Sequence, residues 1–78
     1  MRYYFHLRER GDYVPDEEGL SLADFEAVVA TARSGARSVM ANEILEGHLP
    51  LGATIEVDDE DGNRVLTMPF ADAVTLER

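Results

Sequence analysis

The chain contains no cysteine, no tryptophan and no lysine. Without cysteine there is neither a disulfide framework nor a thiolate metal site. All seven basic residues are arginine, and sixteen acids outnumber them, giving a net charge of −9 and a pI near 4.4. That balance argues against a non-specific nucleic-acid binder. No apolar run approaches the ~18 residues of a membrane helix, and alternation rather than an apolar signal region follows Met1-Arg2. The expected compartment is therefore the cytoplasm, with no membrane contact.

The 78 residues are expected to form one domain, 1–78. A core of this size supplies only about 3–5 kcal/mol, so a small domain without cross-links often gains stability by pairing with another copy. A homodimer is the expectation.

The longest patterned stretch runs from Leu20 to Gly47 and reads as an amphipathic helix. Ser21 stands where an N-cap belongs, with Asp24 three residues on, and Leu20 and Phe25 are spaced as a hydrophobic staple. Leu22, Phe25, Val28, Val29, Ala32, Ala36, Val39 and Met40 share one stripe when each residue turns by ~100°. Glu43 falls on the same stripe, so the last turn is expected to leave the core. Gly35 reads either as a close approach or as a kink. Gly47 suits the position just past the helix, and Pro50 blocks its continuation. Asp16, Glu17 and Glu18 are expected to lie near the positive end of the helix dipole.

The flanking segments read as strands. Tyr3, Phe5 and Leu7 alternate with Arg2, Tyr4, His6 and Arg8, the period of a half-buried strand whose first set faces the helix. Tyr13-Val14 reads as a short return strand ending at Pro15. Residues 54–58 and 64–70 form a hairpin around Asp59 to Asn63. Ile55, Val57, Leu66, Met68 and Phe70 point inward, and Val65 and Thr67 outward. Pro69 marks an edge strand or its end. Leu49 and Leu51 are expected to close one end of the core. After them, Asp72 could start a last turn placing Val74 or Leu76 on it, with residues 71–78 otherwise open. The fold class is α+β: one long helix on one face of a small, mostly antiparallel sheet of three to four strands in β-β-α-β-β order. Phe5, Phe25, Val29, Ala32 and Ile55 are the expected core.

Taken together, these residues resemble a family of short bacterial proteins, common in alphaproteobacteria and classed only as a domain of unknown function. The resemblance rests on the opening strand Arg2 to Arg8, on Asp16-Glu17-Glu18-Gly19, on the Ala-rich helix, and on Ile55-Glu56-Val57, Gly62 and Val65 to Phe70. Where family members often carry Glu-Ala in mid-helix, Thr31-Ala32 stands here. The resemblance implies no activity and no site residues. A looser similarity is to HicB-type antitoxins, through Gly11, Tyr13, Pro15-Asp16 and Ala27 to Ala36. The Pro-Gly-Cys element of that family and a separate DNA-binding segment are missing.

No motif carries chemistry. Asp58 to Asn63 looks like a calcium loop, but Val57 stands where the first ligand belongs and Met68 where the bidentate Glu belongs. A solvated hairpin tip is the better reading. His6 and His48 have no metal or triad spacing, and His48 is placed to meet the last carbonyls of the helix. Ser21, Ser34 and Ser38 lack a nucleophile-elbow context, and no glycine cluster forms a phosphate loop.

No catalytic, cofactor-binding or metal site is therefore expected. The expectation is a non-enzymatic module acting through protein contacts. The alternatives are an antitoxin-like partner of a small basic toxin, or a weak nucleic-acid or small-ligand binder through the outer sheet face. The candidate surface is Arg2, Tyr4, His6, Arg8, Val65 and Thr67, with Tyr4 and His6 beside Val65 and Thr67 if the first strand neighbours the last. Glu56 and Asp58 could instead pair with the arginines.

Overall fold

The structure is a computed structural model and describes residues 1–77. It contains five strands and one long helix. Strand β1 spans Arg2–Glu9, β2 Asp12–Val14, β3 Leu20–Ser21, helix α1 Phe25–Ile44, β4 Thr54–Asp59 and β5 Arg64–Pro69. A 3-10 turn, Phe70–Ala73, follows β5.

The sheet is antiparallel, in the order β2-β1-β4-β5. Strand β3 lies on the same edge of β1 as β2, pairing Arg2 and Tyr3 where β2 pairs Leu7 to Glu9. This is one strand more than the upper limit expected. Residues Leu20 and Ser21, assigned from sequence to the helix start, are recruited by the free backbone groups at the beginning of β1. The helix instead begins at Phe25, and its N-cap is Asp24, whose carboxylate accepts the Ala27 N–H at 2.8 Å. Asp16, Glu17 and Glu18 consequently lie beside the sheet, away from the helix dipole.

The far end of the helix is closed as its residues imply. Gly47 adopts φ +90°; its N–H donates to the Ile44 carbonyl and that of His48 to the Glu43 carbonyl. These two bonds make a Schellman motif, in which the His48 backbone amide, rather than the imidazole expected there, meets the helix carbonyls.

Val28, Ala32, Ala36 and Met40 bring the buried stripe of α1 onto Ile55, Val57, Met68, Phe70 and Ala73. The helix contacts mainly β4, β5 and the 3-10 turn. That offset overturns part of the expected core. Phe25 is 52% exposed at the first helical position, and Phe5 and Val29 are only half-buried, whereas Phe70, Val28 and Val57 are its largest fully buried side chains. Leu51 packs on the core, but Leu49 and Leu76 stay exposed. The 3-10 turn starts at Phe70 rather than Asp72 and puts Val74 against the core. Arg78 lies outside the described residues.

Pro69 both ends β5 and sits on an edge strand. A β-bulge between Val57 and Asp58 sets Arg64 opposite Asp58 and leaves Val65 half-buried against the core rather than outward.

Candidate functional site

The outer sheet face carries a closed ring of polar and aromatic contacts. Cross-strand register places Arg8 beside Tyr13 on one side and His6 beside Glu56 on the other. The Arg8 Nε donates to Glu56 Oε2 at 2.9 Å, and its guanidinium lies 4.6 Å from the Tyr13 ring centroid. Arg64, brought round by the bulge, bonds Asp58 through Nε and approaches Glu56 Oε1 through a terminal nitrogen at 3.3 Å. His6 Nε2 reaches Asp58 Oδ2 at 3.2 Å, and the His6 and Tyr13 rings are 5.5 Å apart and tilted. Two arginines and two carboxylates thus neutralise one another.

Hydrogen bonding settles the His6 tautomer. Nδ1 accepts the Asp16 N–H at 3.0 Å, so a neutral ring carries its proton on Nε2 and donates it to Asp58. Both ring nitrogens are engaged within the chain. His6 and Glu56 are each only 8% exposed, although both point away from the helix.

The cover over His6 comes from the segment between β2 and β3. Asp16 anchors it: one carboxylate oxygen accepts the Phe5 N–H at 3.0 Å, and the other accepts Glu18 and Gly19 N–H at 3.2 and 3.1 Å. Gly19 has φ +72°, and a Cβ there would lie 2.9 Å from both the Tyr3 carbonyl oxygen and Tyr4 Cε1. Only glycine meets both conditions.

These contacts shift the acids in a consistent direction. The Arg8 guanidinium, aided by Arg64 and Thr54, holds Glu56 below the usual carboxylate range despite its burial. Arg64 does the same for Asp58, with His6 adding to it. Burial alone would push Asp16 up, but three backbone N–H donors and nearby His6 outweigh it and bring it down.

The six surface residues named from sequence therefore have different fates. Arg2 is exposed, with its guanidinium donating to the Glu18 carbonyl at 2.6 Å. Tyr4 is half-buried against Gly19, His6 is buried, and Arg8 is exposed but paired. Thr67 is exposed. Tyr4 and His6 do not lie beside Val65 and Thr67, because β4 runs between β1 and β5 and fills the gap with Glu56 and Asp58. Of the expected pairing of Glu56 and Asp58 with Arg2 and Arg8, the Arg8–Glu56 pair forms; Asp58 is taken instead by Arg64, which was not expected there, and Arg2 turns to the Glu18 carbonyl. Tyr13 and Asp16 joined the ring and its cover without being singled out. Tyr13 was detectable as the cross-strand neighbour of Arg8, whereas the reach of Asp16 to Phe5 had no local signal.

On the helix side, Val14 and Leu20 pair with Leu7 and Tyr3, share their face, and remain 58% and 46% exposed. Among the described residues no helix is long and apolar enough to cross a membrane.

No curated protein and no solved structure gives a significant match to the chain. A family model does: residues 2–71, from the first strand into the 3-10 turn, match the Domain of unknown function (DUF6894), and the chain belongs to that family.

Proposed function

We propose that this chain is a non-enzymatic, cytoplasmic protein-interaction module whose partner is a basic protein, as an antitoxin-like subunit would be. The distribution of charge carries this reading. Arg2, Arg8, Arg37 and Arg64 each bond within the chain, while Glu17, Glu18, Glu26, Glu46, Glu60 and Asp61 are exposed. The surface offered to a partner is strongly acidic, and opposite charge speeds and orients association. The paired arginines of the outer face favour a protein partner over RNA, and the doubly engaged His6 leaves no free ring nitrogen for acid–base work.

The second reading is a homodimer. It is favoured by the exposed apolar fringe of Val14 and Leu20 on the side of the sheet that α1 leaves partly open. Light scattering over a concentration series, at low and high salt, separates the two. A basic partner requires a chain that stays monomeric to high micromolar concentration. It also requires that the protein retained on the immobilised chain be basic and be released by salt. A dimer at micromolar concentration that persists or strengthens with salt replaces this reading with the second. Retention only of acidic proteins, or of none, removes the basic partner.

A further inference from the structure

Glu9 ends β1, and Glu43 lies in the last turn of α1 on the stripe that faces the sheet. Both side chains line one cleft, at the junction of the strand end and the helix end. Glu9 Oε1 and Glu43 Oε2 are closed to solvent, and neither has a hydrogen-bond donor. Two ionised carboxylates in that position would repel across a gap with no donor to satisfy either. A single proton placed between them gives one oxygen a hydrogen to donate and the other a hydrogen to accept.

We propose that Glu9 and Glu43 share a proton that latches the last turn of α1 onto the end of β1, and that loss of this proton loosens the turn. The Glu43 carbonyl is also the acceptor for the His48 N–H in the Schellman closure, so the latch and the helix end are coupled through one residue. Beside the pair is a cleft of about 240 Å³ that Leu7, Arg10, Asp12 and Val14 also line. On the other side the Leu49–Ala53 loop brings no charge.

The charged neighbours of Glu9 are Glu43 from the helix, Arg10 from the turn and Asp12 from β2. The Glu43 carboxyl first, then burial and Asp12, hold Glu9 above the usual carboxylate range, and Arg10 only partly offsets them. Because the folded-state value is raised, the latch is complete below the ordinary glutamate value. It is lost as pH rises through the raised one. This is the reverse of the direction for Asp16, Glu56 and Asp58.

The test combines carboxyl ¹³C titration by NMR with amide hydrogen-exchange protection at Gly47 and His48, on the whole chain. In the unsubstituted protein Glu9 should titrate at higher pH than it does in Glu43→Gln, whose side-chain amide can donate to the Glu9 carboxylate. Protection at His48 should fall severalfold as Glu9 ionises and stay flat over the same range in Glu43→Gln. If Glu43→Gln folds poorly, Glu9→Gln takes its place and should likewise hold His48 protection flat over that range. The same Glu9 midpoint with and without Glu43, or the same pH dependence of His48 protection in both proteins, would overturn the proposal.

Discussion

The Asp16 carboxylate accepts the Phe5 N–H at 3.0 Å on the edge of β1, between the stretch that β3 pairs and the stretch that β2 pairs. A side chain here takes the place of a strand. It satisfies a backbone donor that two short strands leave free, and it holds down the segment that buries His6. Asp16→Ala should therefore destabilise the chain by about 2 kcal/mol, since the amides of Phe5, Glu18 and Gly19 lose a charged acceptor. Urea unfolding measures this, and a change under about 0.5 kcal/mol would mean water replaces the carboxylate without loss.

Two glycines should respond in opposite directions. Gly19→Ala forces a side chain into φ +72° against the Tyr3 carbonyl, so it should cost more than about 1 kcal/mol. Gly35 lies in α1 with nothing within 4 Å of a would-be Cβ, so it is neither a close approach nor crowded. Gly35→Ala should stabilise by up to about 1 kcal/mol. Thermal melts of the two variants should shift to opposite sides of the unsubstituted protein.

The offset of α1 toward β5 predicts an asymmetry between two phenylalanines. Phe70 is fully buried, and Phe70→Ala should cost about 3–5 kcal/mol, comparable to the whole stability of so small a domain. Phe25→Ala, at an exposed first-turn position, should cost less than about 1 kcal/mol. Circular dichroism would detect an unfolded Phe70 variant, and a Phe25 variant melting equally low would place that ring in the core.

Acid should unfold the chain through the outer ring and its cover. Glu56, Asp58 and Asp16 all have lowered folded-state values. Their contribution is fully present above the ordinary carboxylate values of about 4, and it disappears as pH falls through the depressed ones. Arg64→Gln should remove part of it. Arg64 is 43% exposed and screened by solvent, so the loss at neutral pH is about 1 kcal/mol or less. Denaturant midpoints from pH 7 down to pH 2 should converge for the two proteins at the acid end. Parallel curves would show that the Arg64 bonds to Asp58 and Glu56 contribute nothing.

Alternation in Arg2–Arg8 determined which side of β1 faces the helix, because side chains two apart in a strand must share a face. The helical period from Val28 to Met40 determined the buried stripe, and Gly47 determined the stop, since only a residue tolerant of positive φ closes that motif. These are local rules, and they operate in any tertiary setting. Local residues misplace the start of the helix: they make Ser21 the expected cap and Asp24 only its capping-box acid, whereas Asp24 itself caps the helix. Pairing of Leu20-Ser21 with Arg2-Tyr3, between residues far apart in the chain, chose Asp24.

Tertiary structure likewise decided the outer face. Strand order inserted β4 between β1 and β5, so the arginines met carboxylates instead of forming a patch with Val65 and Thr67. An outward-pointing His6 is covered by the loop that Asp16 anchors and by the Tyr13 ring of the paired strand. The Glu9–Glu43 encounter has the same origin. Glu43 on an apolar stripe was a visible irregularity, but its partner lies at the end of a strand 34 positions earlier, brought there only when the helix docks on the sheet.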